Sequence, residues 1–239
     1  MKKLSFILVC IAALTMVSCG CNSNKKGRSK VADIKIALED AVDLGLSVKW
    51  AICNVGADNM EDVGQYFAWG EVSPKDNYAL ANYRFSTEGE NPQMTKYNAD
   101  DGHGSLQPED DAASVVMGEE WRMPTKEEWG ELIENCEWEV LNFEGKMGFA
   151  GTSKINGSVI FLPLTGVFLG EKAELERVMG YYWTRDLADG FPSYATQVRL
   201  NLSLGLLSTI DSDRHAGLDR KSTRLNSSHR LTSRMPSSA

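Results

Sequence analysis

Gly118-Glu119-Glu120-Trp121-Arg122-Met123-Pro124-Thr125-Lys126-Glu127-Glu128-Trp129 holds the end of one helix, an extended link and the start of another. Thr125 is placed to accept from free amides of the first turn. Glu128, three residues on, completes a capping box, and Pro124 and Trp129 take the positions of a hydrophobic staple. The helix face follows, because Trp129, Leu132, Ile133 and Cys136 recur at i, i+3, i+4 and i+7. Upstream, residues 110–117 have room for two helical turns, with Asp110 and Asp111 at the end where carboxylates favour the helix dipole and Gly118 to stop it.

Strand signals flank this helical centre. Val42, Leu44, Leu46, Val48 and Trp50 alternate with Asp43, Gly45, Ser47 and Lys49, the period of a half-buried strand or hairpin. Residues 65–70, Gln-Tyr-Phe-Ala-Trp-Gly, predict a second strand. Residues 158–162, 180–184 and the alternating Tyr194, Thr196, Val198, Leu200 and Leu202 predict three more. Strands without regular helical crossovers point to an antiparallel α+β domain. Between residues 73 and 111 the chain turns to Asn, Asp, Gly, Pro and Tyr without period, which predicts a long surface loop of the kind that often carries binding.

The 118–129 segment resembles the G-x-x-W-R-[LM]-P-T-x-x-E-W signature of formylglycine-generating-enzyme-like domains, which implies a C-type-lectin-like fold of mainly antiparallel strands with two helices and long irregular loops. Asp43-Leu44-Gly45-Leu46-Ser47-Val48-Lys49-Trp50-Ala51, Tyr66-Phe67-Ala68-Trp69-Gly70-Glu71, Thr95-Lys96-Tyr97-Asn98, residues 106–113, Ile160-Phe161-Leu162-Pro163-Leu164-Thr165-Gly166 and Gly180-Tyr181-Tyr182-Trp183-Thr184 add a closer resemblance. In order and spacing they are similar to the Fibrobacter succinogenes major paralogous domain family. That resemblance implies a fold and no common activity. The oxidases of the wider group use a cysteine pair near the carboxyl end, whereas no cysteine follows Cys136 here. Trp121, Arg122, Pro124, Thr125, Glu128 and Trp129 are therefore expected to be structural, as core aromatics, a buried ion pair and a helix start. The family's last strand carries R-x-x-G-x-x-V-R, a pattern that Arg214-His215-Ala216-Gly217 begins and that then meets Arg220.

Both ends differ from this domain. Met1-Lys2-Lys3, the apolar run 4–16 and Val17-Ser18-Cys19-Gly20 read as a signal peptide over residues 1–18, too short to span a bilayer permanently. The cleavage site resembles a bacterial lipobox, which implies lipidation of Cys19 and a membrane partner held through that anchor. Residues 19–30 read as a lipidated flexible tether. No acid follows Cys19 directly, so a periplasm-facing anchor in the bacterial cell envelope is favoured over the cell surface. Residues 220–239 contain six serines, four arginines and one lysine but no acid. They resemble a translated sequencing-adapter or assembly junction, so the domain is expected over 31–219, its last strand truncated, with a disordered tail behind it. All 33 acids lie within 31–219 while 11 of the 25 Lys and Arg lie outside it, so this domain carries −19 where the whole chain carries −8. Such a surface repels phosphate backbones and argues against a nucleic-acid partner.

Three chemical readings remain. Tyr78, Tyr83, Phe85 and Tyr97 fall in the polar loop, where exposed rings would stack on a sugar or fill a protein pocket, unless they pin the loop down. Asp100, Asp101, Glu109, Asp110 and Asp111 concentrate carboxylate oxygens of the kind calcium takes, without EF-hand spacing or a lectin E-P-N or W-N-D triplet. Cys53 and Cys136 could form a disulfide in an oxidising compartment or remain buried thiols. His103, His215 and His229 lack ligand spacing. The reading is a non-enzymatic lipid-anchored domain recognising a glycan or protein outside the cytoplasm. The alternatives are an envelope enzyme of formylglycine-generating-like descent with altered chemistry and a structural component of a surface assembly or fimbria. Mass spectrometry of the amino-terminal peptide should find the mature chain beginning at a lipidated Cys19; any other start ends the lipoprotein reading.

Overall fold

The computed structural model describes residues 41–225, so the signal peptide, Cys19, the tether and residues 226–239 lie outside the described residues. Strands β1 (Ala41–Val42) and β2 (Val48–Ala51) form the hairpin that the alternation predicts, with Val42 opposite Trp50. Val42, Leu44, Leu46, Val48 and Trp50 are all buried, while Asp43, Gly45 and Ser47 face water. Asp43 turns the chain by accepting from the Gly45 amide at 2.9 Å.

Helix α1 (Ala112–Met117) follows the long loop. Its first turn is capped by Asp111 through the amides of Ala113 and Ser114, and Gly118 ends it at φ 101°. After the short strand β3 (Trp121–Arg122) comes helix α2 (Lys126–Asn135), whose capping box is complete: Thr125 Oγ1 accepts from the Glu128 amide at 3.1 Å and Glu128 accepts from the Thr125 amide at 2.9 Å. Trp129 and Leu132 are buried and Ile133 is partly buried, whereas Cys136 already belongs to the next strand.

The remaining strands are β4 (Cys136–Phe143), β5 (Lys146–Ser153), β6 (Val159–Pro163), β7 (Val167–Leu169), β8 (Lys172–Glu174), β9 (Met179–Leu187), β10 (Tyr194–Asn201), β11 (Leu206–Asp213) and β12 (Thr223–Leu225). They build antiparallel sheets in the orders β1-β2-β12-β3, β4-β5-β6, β7-β8 and β11-β10-β9. The domain is α+β with mainly strands. One core packs α2 against the sheets through Trp129, Leu132, Trp50, Phe149, Ile160, Tyr182 and Val198. Trp50 meets Trp129 edge-on with ring centroids 4.8 Å apart. A second core lies under the long loop around Phe67, Trp69, Trp183 and Leu218.

Residues 65–70 correct the expectation of a strand. They pair with the carboxyl-terminal segment only at the single bridge Phe67–Leu218, with the Trp69 amide donating to Arg214 O at 2.8 Å. The aromatic burial read from the sequence is there without a ladder to accompany it.

Residues 220–225, which fall at the start of the expected tail, are among the described residues. Residues 220–223 are fully buried, and β12 lies antiparallel between β2 and β3. A polar composition suggested a tail, but backbone pairing on both sides makes this segment the inner strand of its sheet. Its side chains fit poorly there. Asp219, Arg220 and Lys221 are each fully buried, and among the described residues none of them makes an ion pair. Burial pushes the Asp219 carboxyl up to about 7 and the Lys221 ammonium down to about 8.

The consequence for stability is directional. A carboxyl raised in the folded state stabilises the fold below its unfolded value near 4 and loses that contribution as pH rises through about 7. Urea unfolding should therefore show that Asp219→Asn gains stability over the parent as pH is raised from 5 to 8, by on the order of 2–4 kcal/mol. A pH-independent difference would mean that Asp219 is not buried as described.

Candidate functional site

The long loop is built from the inside. Tyr78, Tyr83, Phe85 and Tyr97, expected to offer exposed rings, are 1, 3, 5 and 0% exposed, which corrects their reading as a ligand surface. Each ring pins the loop to the domain. Tyr78 donates to Tyr66 O at 2.6 Å, Tyr83 donates to Trp69 O at 2.7 Å, and Tyr97 donates to Asp110 at 2.6 Å and accepts from the Gln107 amide at 2.9 Å. Phe85 stacks edge-on with both Tyr83 and Tyr97. Burial pushes the Tyr97 hydroxyl up to about 12, helped by its bond to Asp110, so it remains a donor at neutral pH.

Tyr83, Phe85 and Tyr97, together with Trp69, surround Arg214, which the sequence pattern places only at the start of the last strand. Its guanidinium lies 4.8 Å from the Trp69 ring and 5.4 Å from the Tyr83 ring. It donates to Tyr83 Oη at 2.9 Å and to the carbonyls of Tyr97, Pro192 and Lys96 at 3.1, 2.7 and 3.0 Å. A run of separated aromatics followed much later by one arginine gives no local periodic signal for such a cage.

The carboxylates expected as calcium ligands have protein partners. Asp110 accepts from Arg84 and Lys96 as ion pairs in addition to Tyr97. Asp111 caps α1 and takes the Met123 amide at 2.9 Å, and burial raises its carboxyl above the usual range. Asp101 takes the amides of Tyr97 and His103, Glu109 takes Lys96, and Asp100 is exposed. Among the described residues no three His, Cys, Asp or Glu side chains come together as a cation site, so the calcium expectation finds no ligand set here.

Cys53 and Cys136, left open between a bridge and free thiols, are free thiols in this structure. Cys136 opens β4 within the apolar core beside Trp129 and Leu132, whereas Cys53 sits half-buried after β2 near Lys221. Burial holds the Cys136 thiol up at about 11 and keeps it inert.

The signature residues are joined to one another and to their surroundings by hydrogen bonds. Glu128, which takes the Thr125 amide, also accepts two bonds from the Arg122 guanidinium, and Arg122 reaches Met123 O at 3.0 Å. Pro124 O accepts from the Arg185 amide at 2.9 Å. Trp121, 7% exposed, lies under Arg224, whose guanidinium is 5.1 Å from its ring.

The same segment also forms one wall of an open cleft of about 690 Å³, a feature the sequence did not announce. Glu109, Glu119 and Glu120 bring carboxylates to it, Val115 and Leu225 bring exposed apolar side chains, and Arg122 and Arg185 line it as well. Arg185 donates to Leu106 O at 2.6 Å and its Nε has no partner among the described residues. The cleft thus offers an apolar shelf with an acidic rim, while the unpartnered Arg185 Nε is itself buried.

Comparison of the chain with protein-family models, with curated proteins and with solved structures finds no match. The site therefore has to be argued from its own chemistry. Asp110 holds the loop end that walls the cleft, so Asp110→Asn should lower stability by about 2 kcal/mol or more in urea unfolding. An unchanged midpoint would show that the Arg84, Lys96 and Tyr97 contacts do not anchor the loop.

Proposed function

We propose that this chain is a lipid-anchored, non-enzymatic binding domain of C-type-lectin-like fold, of the Fibrobacter succinogenes major paralogous type, that takes a segment of a protein partner outside the cytoplasm. The family motifs in order, the Arg122–Glu128–Thr125 arrangement and the mainly antiparallel α+β architecture support the fold reading. The lipobox-like Cys19 supports an envelope location facing the periplasm. A net charge of −19 over residues 31–219 disfavours nucleic acid.

The observation that carries the function is the composition of the cleft. Val115 and Leu225 are 52 and 63% exposed beside three carboxylates, Glu109, Glu119 and Glu120. A peptide segment with an apolar residue flanked by Lys or Arg matches that surface in both hydrophobicity and charge. Glycan recognition is the second reading, favoured by the mixed polar lining, and would draw on the same carboxylates as acceptors for sugar hydroxyls.

Arrays of basic-apolar peptides and of glycans, probed with the full chain, separate the two. The expected result is peptide binding that weakens about tenfold in the Glu119→Gln, Glu120→Gln double variant and falls with added salt. Glycan binding alone with the same sensitivity would establish the second reading. Binding that ignores both substitutions would remove the cleft from consideration.

A further inference from the structure

Two turns, 175–178 and 201–206, meet at one end of the sheet β11-β10-β9. Met179 opens β9 opposite Asn201 at the end of β10, Asn201 faces Leu206 at the start of β11, and the Leu202 amide donates to Val178 O at 3.1 Å. Leu175, Val178, Leu204 and Leu206 stand on this end, between 42 and 69% exposed, and none of them belongs to a core. The turn 175–178 also reaches a second cleft, of about 480 Å³, to which Glu176 and Arg177 contribute beside Lys146 of the β4-β5 hairpin. Met147, Pro163 and Leu164 give that cleft an apolar lining.

The packing of the chain itself does not account for these side chains. Leu175 holds φ 60°, in the left-handed region that disfavours any residue with a Cβ. Its backbone is held there by its surroundings: a Cβ on Gly166 would come within 2.5 Å of Glu174 O and 2.7 Å of Glu176 Cα, and the Val178 and Met179 amides both donate to Leu175 O. Glycine or asparagine would meet that conformation with less strain. A bulky apolar side chain kept at a strained, half-exposed position, with three more beside it and charge around them, points to a contact outside the chain.

We infer that this end of the sheet is a self-association surface, on which a second copy of the chain docks about a two-fold axis. Charge selects that partner. Lys146, Glu176 and Arg177 are exposed and make no ion pair among the described residues, so the surface carries unpaired charges of both signs beside its apolar centre. Rotated by half a turn, such a surface meets itself with opposite charges facing, Glu176 of each copy beside Arg177 of the other, while leucine meets leucine. Elsewhere the domain, at −19 over residues 31–219, repels a copy of itself.

Sedimentation velocity on the full chain tests this. The expected result is a reversible dimer, prominent at roughly 100 μM and absent at about 1 μM. Leu204→Ser with Leu206→Ser should weaken it at least ~10-fold. Leu175→Asn should do the same while relieving the backbone, so that the thermal midpoint of the monomer stays at or above the parent's. Arg177→Glu and Glu176→Arg should each weaken the dimer alone, and an equimolar mixture of the two variants should recover it, because only the mixed pair brings opposite charges together at both contacts. A monomer at every concentration, or a mixture no tighter than either variant, overturns the proposal. Association indifferent to the substitutions places the contact elsewhere, the apolar run 4–16 included, and overturns it too. Binding of the monomer to phosphatidylcholine vesicles through the same leucines gives them to a lipid surface and has the same consequence. The Glu119→Gln, Glu120→Gln variant should dimerise as the parent does, so this inference and the peptide-binding reading fail separately.

Discussion

A single buried guanidinium organises this domain. Arg214 has no exposed surface, yet all its described bonds go to carbonyls and one hydroxyl rather than to a carboxylate. Its charge is tolerated because Trp69, Tyr83, Phe85 and Tyr97 present ring faces and edges around it, replacing hydration with fixed quadrupoles and dipoles. The acceptors come from distant parts of the chain: Lys96 and Tyr97 in the long loop, Pro192 ahead of β10. Breaking this group would release the loop and the second core together.

From that centre the constraint passes outward to the cleft. Tyr97 stacks near Arg214 and donates to Asp110, and Asp111 next to it caps α1 and holds the Met123 amide. The loop end, α1 and the signature segment are thus tied by neighbouring carboxylates, each satisfied by protein donors. What reads in sequence as an acidic loop is a set of internal fasteners. On the cleft, the side chains of Val115, Glu119 and Glu120 have no such duties among the hydrogen bonds described.

Local signals were legible where structure is local. The capping box at Thr125 and Glu128, the stop at Gly118 and the alternation from Val42 to Trp50 each depend on neighbours a few residues apart, and each is found. The β4-β5 hairpin was missed because β4 is largely exposed along both faces, with Glu137, Glu139 and Val140 in water, so no period of two marks it. The burial of Tyr83, Phe85 and Tyr97 is illegible for a related reason: polar neighbours in sequence say nothing about a cation brought to them from Arg214. The end at 220 misled through composition, since pairing with β2 and β3 is a property of the sheet and not of the residues inserted.

The position of β12 also sets the order in which the molecule can be completed. Lys221 meets Ile52 across 169 residues of chain, and β12 joins two strands that otherwise do not pair with each other. Neither β2 nor β3 can close its sheet until nearly every described residue has emerged, and contacts so distant in sequence carry a high loop-closure entropy and slow folding. A chain synthesised amino end first would keep this sheet open until the last moment. Its half-built state would present two unsatisfied strand edges to whatever surrounds it.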